Sequence, residues 1–170
     1  MQILIIAMML ILNLYADALE DNVNTYKKMT NIEILNSFKK INKMIDDSDN
    51  LRLELERYVY LYNIVIYEKP PTLMWRISID VKGLQNYLLA FNEKKFKKNS
   101  KEYIRNVKIM ENVPLIIKQL EASNIKSYCN RVDYKYLYSR GFSMSFRYID
   151  FDKNLLSLLT IDENYCKNIR

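Results

Sequence analysis

The stretch RYVYLYNIVIY, residues 57–67, decides the fold class because nearly all of its side chains are β-branched, apolar or aromatic. Such residues favour a strand of a sheet over a surface helix. Further on, Leu73, Trp75, Ile77 and Ile79 alternate with Met74, Arg76, Ser78 and Asp80. This period of two is typical of a strand with one solvated face. The two prolines within residues 68–72 cannot donate to a ladder, so we predict a hairpin that turns there.

A second alternating region lies near the end of the sequence. Its apolar members are Phe142, Met144, Phe146 and Tyr148, which are separated by Ser143, Ser145 and Arg147. Residues 150–154 (DFDKN) are rich in side chains that favour turns. The apolar residues return over 155–161. The pattern therefore predicts a second hairpin.

An amphipathic helix is predicted ahead of the first hairpin. Thr30 and Glu33 have the spacing of a capping box, in which each side chain accepts a hydrogen bond from the backbone amide of the other residue. Apolar residues then recur at helical spacing, at Ile34, Phe38, Ile41 and Ile45. The polar run 46–50 favours a turn, so the helix should end there.

The region between the hairpins is predicted to be helical over residues 84–129, with interruptions around 97–100 and at Pro114. Proline suits the first turn of a helix, where its missing N–H is not needed. Residues 132–140 suit a short further helix that ends before Gly141.

These elements together predict an α+β fold. We expect an N-terminal amphipathic helix and an antiparallel sheet of about four strands from two hairpins, with the middle helices packed mainly on one face. At this length the chain suits one domain, which we place at residues 19–170. The order in which the strands pair is left open.

The first residues, MQILIIAMMLILNLYADALE, resemble a secretory signal peptide. The apolar run is shorter than the about 20 residues that span a bilayer. Ala16 and Ala18 have the small-residue spacing of a cleavage site, so we expect residues 1–18 to be removed, with a cut after Ala16 as the near alternative. A buried strand or core helix and an uncleaved membrane anchor are the other interpretations.

Cys129 and Cys166 are the only cysteines. In a reducing cytosol they would be buried thiols, whereas in an exported chain an even count favours a disulfide. Because we favour export, we predict a Cys129–Cys166 bond from the end of the middle helices to the end of the last strand. It would enclose the second hairpin.

This last quarter of the chain resembles small uncharacterised exported bacterial proteins. The resemblance rests on a helix that ends in Tyr128-Cys129, a strand that opens at Gly141, a polar turn, and a last strand before Tyr165-Cys166. It implies export, the disulfide and an α+β fold. It implies no particular chemistry.

The absence of histidine removes the commonest general base and the Ser/His and Cys/His nucleophile pairs. The sequence also has no G-x-S-x-G or phosphate-binding glycine loop. The acids near residues 46–56 lack the pattern of a calcium loop, and residues 150–154 are equally well explained as a turn. We therefore expect no enzyme, no cofactor and no metal.

Two sets of residues are candidates for an interaction surface. Residues 92–108 hold seven bases against two acids, namely Lys94, Lys95, Lys97, Lys98, Lys101, Arg105 and Lys108. The second set is Tyr58, Tyr60 and Tyr62 on the first predicted strand. Lysines and rings can bind nucleic acid, but a solvated helix face and core packing are the interpretations we favour.

The sequence thus predicts a small periplasmic or secreted protein that binds another macromolecule, a protein or envelope partner, rather than catalysing a reaction. One alternative is an intracellular basic nucleic-acid-binding protein. The other is a membrane-tethered accessory subunit of an envelope assembly, held through the N-terminal segment.

Overall fold

The computed structural model describes residues 23–46 and 53–169. The predicted signal peptide and most of the polar run after the first helix lie outside these residues. In chain order the elements are α1 (Asn31–Asp46), β1 (Leu53–Glu56), β2 (Val59–Glu68), β3 (Pro71–Ile79), α2 (Val81–Lys95), α3 (Lys101–Met110), α4 (Val113–Asn130), α5 (Val132–Ser139), β4 (Ser143–Asp150), β5 (Leu155–Ile161) and α6 (Glu163–Asn168). Residues 23–27 are also helical.

The predicted α+β fold is confirmed, and both hairpins are present. Among the described residues the sheet has five strands in the order β1-β2-β3-β4-β5. Three of the four pairings are antiparallel, and β3 and β4 pair in parallel. The two hairpins therefore lie side by side in one mixed sheet, and the helices α2 to α5 connect them.

The sheet differs from the sequence prediction in three details. The sequence predicts an antiparallel sheet, whereas β3 and β4 pair in parallel, because a crossover through the helices α2 to α5 connects them. A short first strand, β1, pairs with the start of β2 and gives the sheet a fifth member. The first hairpin also turns more tightly than expected, because Glu68 pairs with Pro71 and only two residues remain in the turn. Pro71 is accommodated since proline is tolerated as the first residue of a strand.

Local signals place the helix boundaries. The amide of Thr30 donates to Glu33 Oε2 over 2.7 Å, and the amide of Glu33 donates to Thr30 Oγ1 over 3.3 Å, as the capping box predicts. Pro114 lies in the first turn of α4, and Gly141 follows α5 with φ +81°. Positive φ costs a glycine little, so the chain can leave the helix there and enter β4.

One apolar core lies between the sheet and the helices. On the strands it is formed by Leu61, Ile64, Leu73, Ile77, Met144, Phe146, Tyr148, Leu159 and Ile161. Cross-strand partners share a face, and Leu73, Met144 and Ile161 are such partners, so these residues belong to one side of the sheet. Ile34, Leu35 and Phe38 of α1 are part of the same buried cluster.

The predicted Cys129–Cys166 disulfide is present, with the two Cα atoms 5.4 Å apart. Cys129 lies at the end of α4, as expected. Cys166 does not end the last strand, because β5 stops at Ile161 and Cys166 lies in α6. Asp162 begins this helix by accepting a hydrogen bond from the amide of Tyr165 over 2.7 Å.

In the described part of the chain, no helix combines the length and the apolar character needed to cross a membrane.

Candidate functional site on the open face of the sheet

The two faces of the sheet have different environments. On the core face, the Tyr128 ring of α4 lies 4.7 Å from the Phe146 ring, and the Asn124 amide donates to the Tyr148 hydroxyl. The opposite face carries the alternate side chains of the same strands. A groove of about 260 Å³ lies there, and none of the residues that line it within 23–46 and 53–169 belongs to a helix. We call this side the open face.

The groove is lined by residues of β2, β3 and β4 and of the turn after β4. They are Tyr62, Arg76, Ser78, Arg147, Ile149, Asp150, Phe151 and Lys153. Three of these side chains are cationic and one is anionic. The groove therefore has an excess of positive charge.

Arg76 and Arg147 are direct partners in the parallel pairing of β3 and β4. Like charges directly opposite each other destabilise a sheet unless something of opposite charge separates them. Neither arginine takes part in any of the ion pairs of the described residues, and the buried Nε of Arg76 has no hydrogen-bond partner there. Guanidinium groups bind carboxylates and phosphates in a planar, two-pronged geometry. The pair is thus suited to an anionic ligand.

The single carboxylate of the groove is committed to a turn. Asp150 Oδ2 accepts from the Asn154 side-chain amide and Oδ1 from the Asn154 backbone amide, each over 2.8 Å. These hydrogen bonds, the side-chain one foremost, lower the pKa of Asp150 and keep it ionised. Because both of its oxygens face Asn154, Asp150 holds the β4–β5 turn.

The three predicted tyrosines separate. Tyr60 pairs with Ser78, which brings it to the open face, and its ring lies 5.8 Å from that of Phe151. Tyr62 lines the groove. Tyr58 precedes β2 in a turn, and its ring lies 6.1 Å from the Tyr87 ring of α2. Only two of the three therefore belong to the open face.

The predicted basic residues lie elsewhere, at the end of α2, in the α2–α3 connection and along α3. All seven side chains are exposed, namely Lys94, Lys95, Lys97, Lys98, Lys101, Arg105 and Lys108. The last three share one side of α3 and, with Ile104 and Ile109, line a shallow depression of about 430 Å³. The rings interleaved with these bases, Phe96 and Tyr103, are partly buried. None of the seven bases lines the groove.

A second tyrosine cluster belongs to the core. Tyr134 and Tyr138 of α5 are buried, and Tyr134 contacts Tyr128 with the ring centres 4.3 Å apart. The Cζ atom of Arg131 lies 4.4 Å from the centre of the Tyr134 ring. The same guanidinium donates to the two carboxylate oxygens of Asp133 over 2.7 and 3.1 Å. Burial raises the pKa of the Tyr134 hydroxyl well above its usual value, so the ring stays neutral. This packing anchors α5 beside the disulfide.

The sequence does not identify Arg76 and Arg147 as candidate site residues. A signal was available, because each occupies a polar position of an alternating strand. Alternation shows which residues of one strand share a face, but it does not show which strand lies next to it. Only the parallel pairing brings the two arginines together.

Across the described residues no group of three or more His, Cys, Asp and Glu side chains could hold a metal ion.

No protein-family model and no curated protein matches this chain. Its fold is similar to a crystal structure of a Pseudomonas aeruginosa protein described as a "putative secreted protein", with a TM-score of 0.46 and 9% sequence identity. The similarity covers 80% of this chain and 95% of the other.

Proposed function

We propose that this is an exported protein that binds an anionic component of the cell envelope on the open face of its sheet. The observation that carries the proposal is the juxtaposition of Arg76 and Arg147 in a groove where the one carboxylate among the described lining residues, that of Asp150, is hydrogen-bonded to Asn154. An anionic group placed between the two side chains would relieve their repulsion. Binding would therefore be coupled to the stability of the sheet itself.

Recognition is the chemistry that this groove supports best. Its cations and rings can orient a ligand, while its carboxylate is held in hydrogen bonds to Asn154 and is poorly placed to act as a base. Both arginines are partly buried, which strengthens their interaction with an anion relative to fully exposed lysines. We accordingly propose a binding protein rather than an enzyme.

Export is supported by two features. The disulfide of Cys129 and Cys166 is of a kind that persists in oxidising compartments and is rare in the cytosol. The sequence of residues 1–18 has the apolar run and the Ala16/Ala18 spacing of a cleavable signal. An anionic envelope component would then be the partner within reach.

Export predicts a defined covalent form of the protein. The intact mass of protein recovered from the cells that produce it should correspond to a chain without residues 1–18, or without 1–16, and lacking the two thiol hydrogens of Cys129 and Cys166. Reduction and alkylation should then modify both cysteines. Recovery of the full-length chain with two free thiols would overturn export and favour the intracellular alternative.

Removal of one arginine should abolish most of the anion affinity. We expect Arg147→Gln to weaken the binding of inorganic phosphate about tenfold, because a charge-assisted hydrogen bond of this kind contributes about 1.5 kcal/mol. The measurement is a titration followed by NMR shifts of the arginine Nε–H groups. Arg76→Gln should have a comparable effect.

The matched control is Arg105→Gln, which makes the same change on the exposed side of α3. It should leave phosphate binding unchanged. If Arg105→Gln weakens binding and Arg147→Gln does not, the basic side of α3 is the binding surface and the proposal for the open face is wrong. A steep loss of nucleic-acid binding with salt would then favour the nucleic-acid alternative.

A further inference from the structure

Apolar side chains continue the open face beyond the groove. Leu155 and Leu158 of β5 are 56% and 54% exposed, and Phe151 in the preceding turn is 44% exposed. Leu158 is the direct partner of Arg147, and Leu155 is the direct partner of Ile149. Because antiparallel partners point to the same side, both leucines lie on the open face next to the groove.

This arrangement is denser than the single exposed apolar residues that any surface carries. Of the ten large exposed hydrophobic side chains in the described chain, three fall within residues 151–158. Phe151 lines the groove, and Leu155 and Leu158 are the cross-strand partners of two residues that line it. Leu155 and Leu158 lie on β5, the edge strand of the described sheet. A cationic pair thus borders directly on an apolar strip, which we define as Ile149, Leu155 and Leu158.

We propose that the ligand of the open face is a single-chain anionic amphiphile. Its charged head group would lie between Arg76 and Arg147, and its alkyl chain would follow the apolar strip toward β5. This inference rests on the proposed function, because it specifies the class of anion that the same arginines bind.

The size of the groove supports a ligand whose head group lies in the groove and whose alkyl chain lies on the apolar strip. Sites that enclose a whole drug-sized molecule have volumes of about 300–1,000 Å³. The groove, at about 260 Å³, is smaller and has room for a head group and the first methylenes only. The rest of a chain would have to lie on exposed apolar surface, and Leu158 and Leu155 provide such a surface in line with Arg147 and Ile149.

Chain length is the variable that tests the inference. We would titrate the full, oxidised protein with butanoate, hexanoate, octanoate and decanoate below their micelle concentrations, using calorimetry. Affinity should rise about two- to fourfold for each added methylene, because each methylene leaves water on binding. The neutral amphiphile octyl glucoside should neither bind comparably nor displace octanoate.

Variants separate the head group from the chain. Leu158→Ser should weaken decanoate binding about fivefold and leave butanoate binding unchanged, since only the longer chain reaches β5. Arg147→Gln should weaken both. Leu115→Ser, the same substitution at a 39% exposed position of α4, is the control and should alter neither.

The outcomes distinguish this inference from the proposed function. Anion binding that depends on Arg147 but is the same for butanoate and decanoate would overturn the amphiphile and leave the proposed function standing. Equal binding of octyl glucoside would overturn the role of the charged head group. Absence of binding by every anion, phosphate included, would overturn the proposed function and the inference together.

Discussion

Loss of the disulfide is expected to lower the free energy of unfolding by about 4 kcal/mol, because the bond closes a loop of 37 residues in the unfolded chain. The loop contains α5, β4 and β5. The disulfide therefore restricts the segment that holds β4, β5 and the whole apolar strip. For a protein of this size, 4 kcal/mol is a large part of the total.

Urea unfolding of Cys129→Ser, Cys166→Ser and the double variant measures this effect. Since one bond is lost in each case, the single variants should be as destabilised as the double variant, and the wild type in reductant should approach them. Equal midpoints for oxidised and reduced wild type would contradict a stabilising role. Single variants that differ widely from the double variant would show that packing around the sulfurs, and not the bond, carries the effect.

The second large effect is expected at the start of α2, where Gly83→Ala should destabilise the fold by about 2 kcal/mol. In an open helix the same change would stabilise by about 1 kcal/mol. The sign reverses because a Cβ on Gly83 would lie 2.4 Å from Asp80 Oδ2 and 2.4 Å from a ring carbon of Tyr58. Overpacking of this kind costs about 1–3 kcal/mol.

Neither Asp80 nor Tyr58 can move away from Gly83 without a loss of stability. Asp80 begins α2 by accepting a hydrogen bond from the Gly83 amide over 2.9 Å, and a lost N-cap costs about 1 kcal/mol. Tyr58 has φ 68°, and its carbonyl accepts from the Asp80 amide over 2.9 Å. The ring also packs on Tyr87. The β1–β2 turn and the start of α2 are thereby fixed to each other.

The control is Lys82→Ala, an exposed position of the same turn, which should change stability by less than about 0.5 kcal/mol. Tyr58→Gly removes the ring and relieves the positive φ, so Gly83→Ala should cost much less in a Tyr58→Gly background than in the wild type. A Gly83→Ala variant that is more stable than the wild type would show that the site has room for the methyl group.

The elements predicted from the sequence are those set by local signals. The Thr30/Glu33 capping box, Pro114 in the first turn of α4 and Gly141 after α5 each act within a few residues. The hairpins likewise depend on short turns. In each case the residues that determine the structure are neighbours in the chain, so one sequence is sufficient to recognise them.

The features that were not predicted depend on contacts between distant residues. The strand β1 has only four residues and is defined by its pairing with β2. The parallel register places Arg76 opposite Arg147, which is 71 positions away in the numbering. No periodicity within either strand contains that information, and the candidate site depends on it. The basic residues of α3 were recognisable because their spacing is local, yet they lie outside the groove.

The parallel pairing of β3 and β4 also determines the order in which the parts of the sheet form. During synthesis, β3 is completed long before β4, and the edge of β3 that pairs with β4 stays unpaired while α2 to α5 follow. Closing so long a loop is slow compared with forming either hairpin. Arg76 and Arg147 come together only when β3 and β4 pair, so an incomplete chain has no groove. Under the proposed function, a ligand would therefore bind only to the completed molecule.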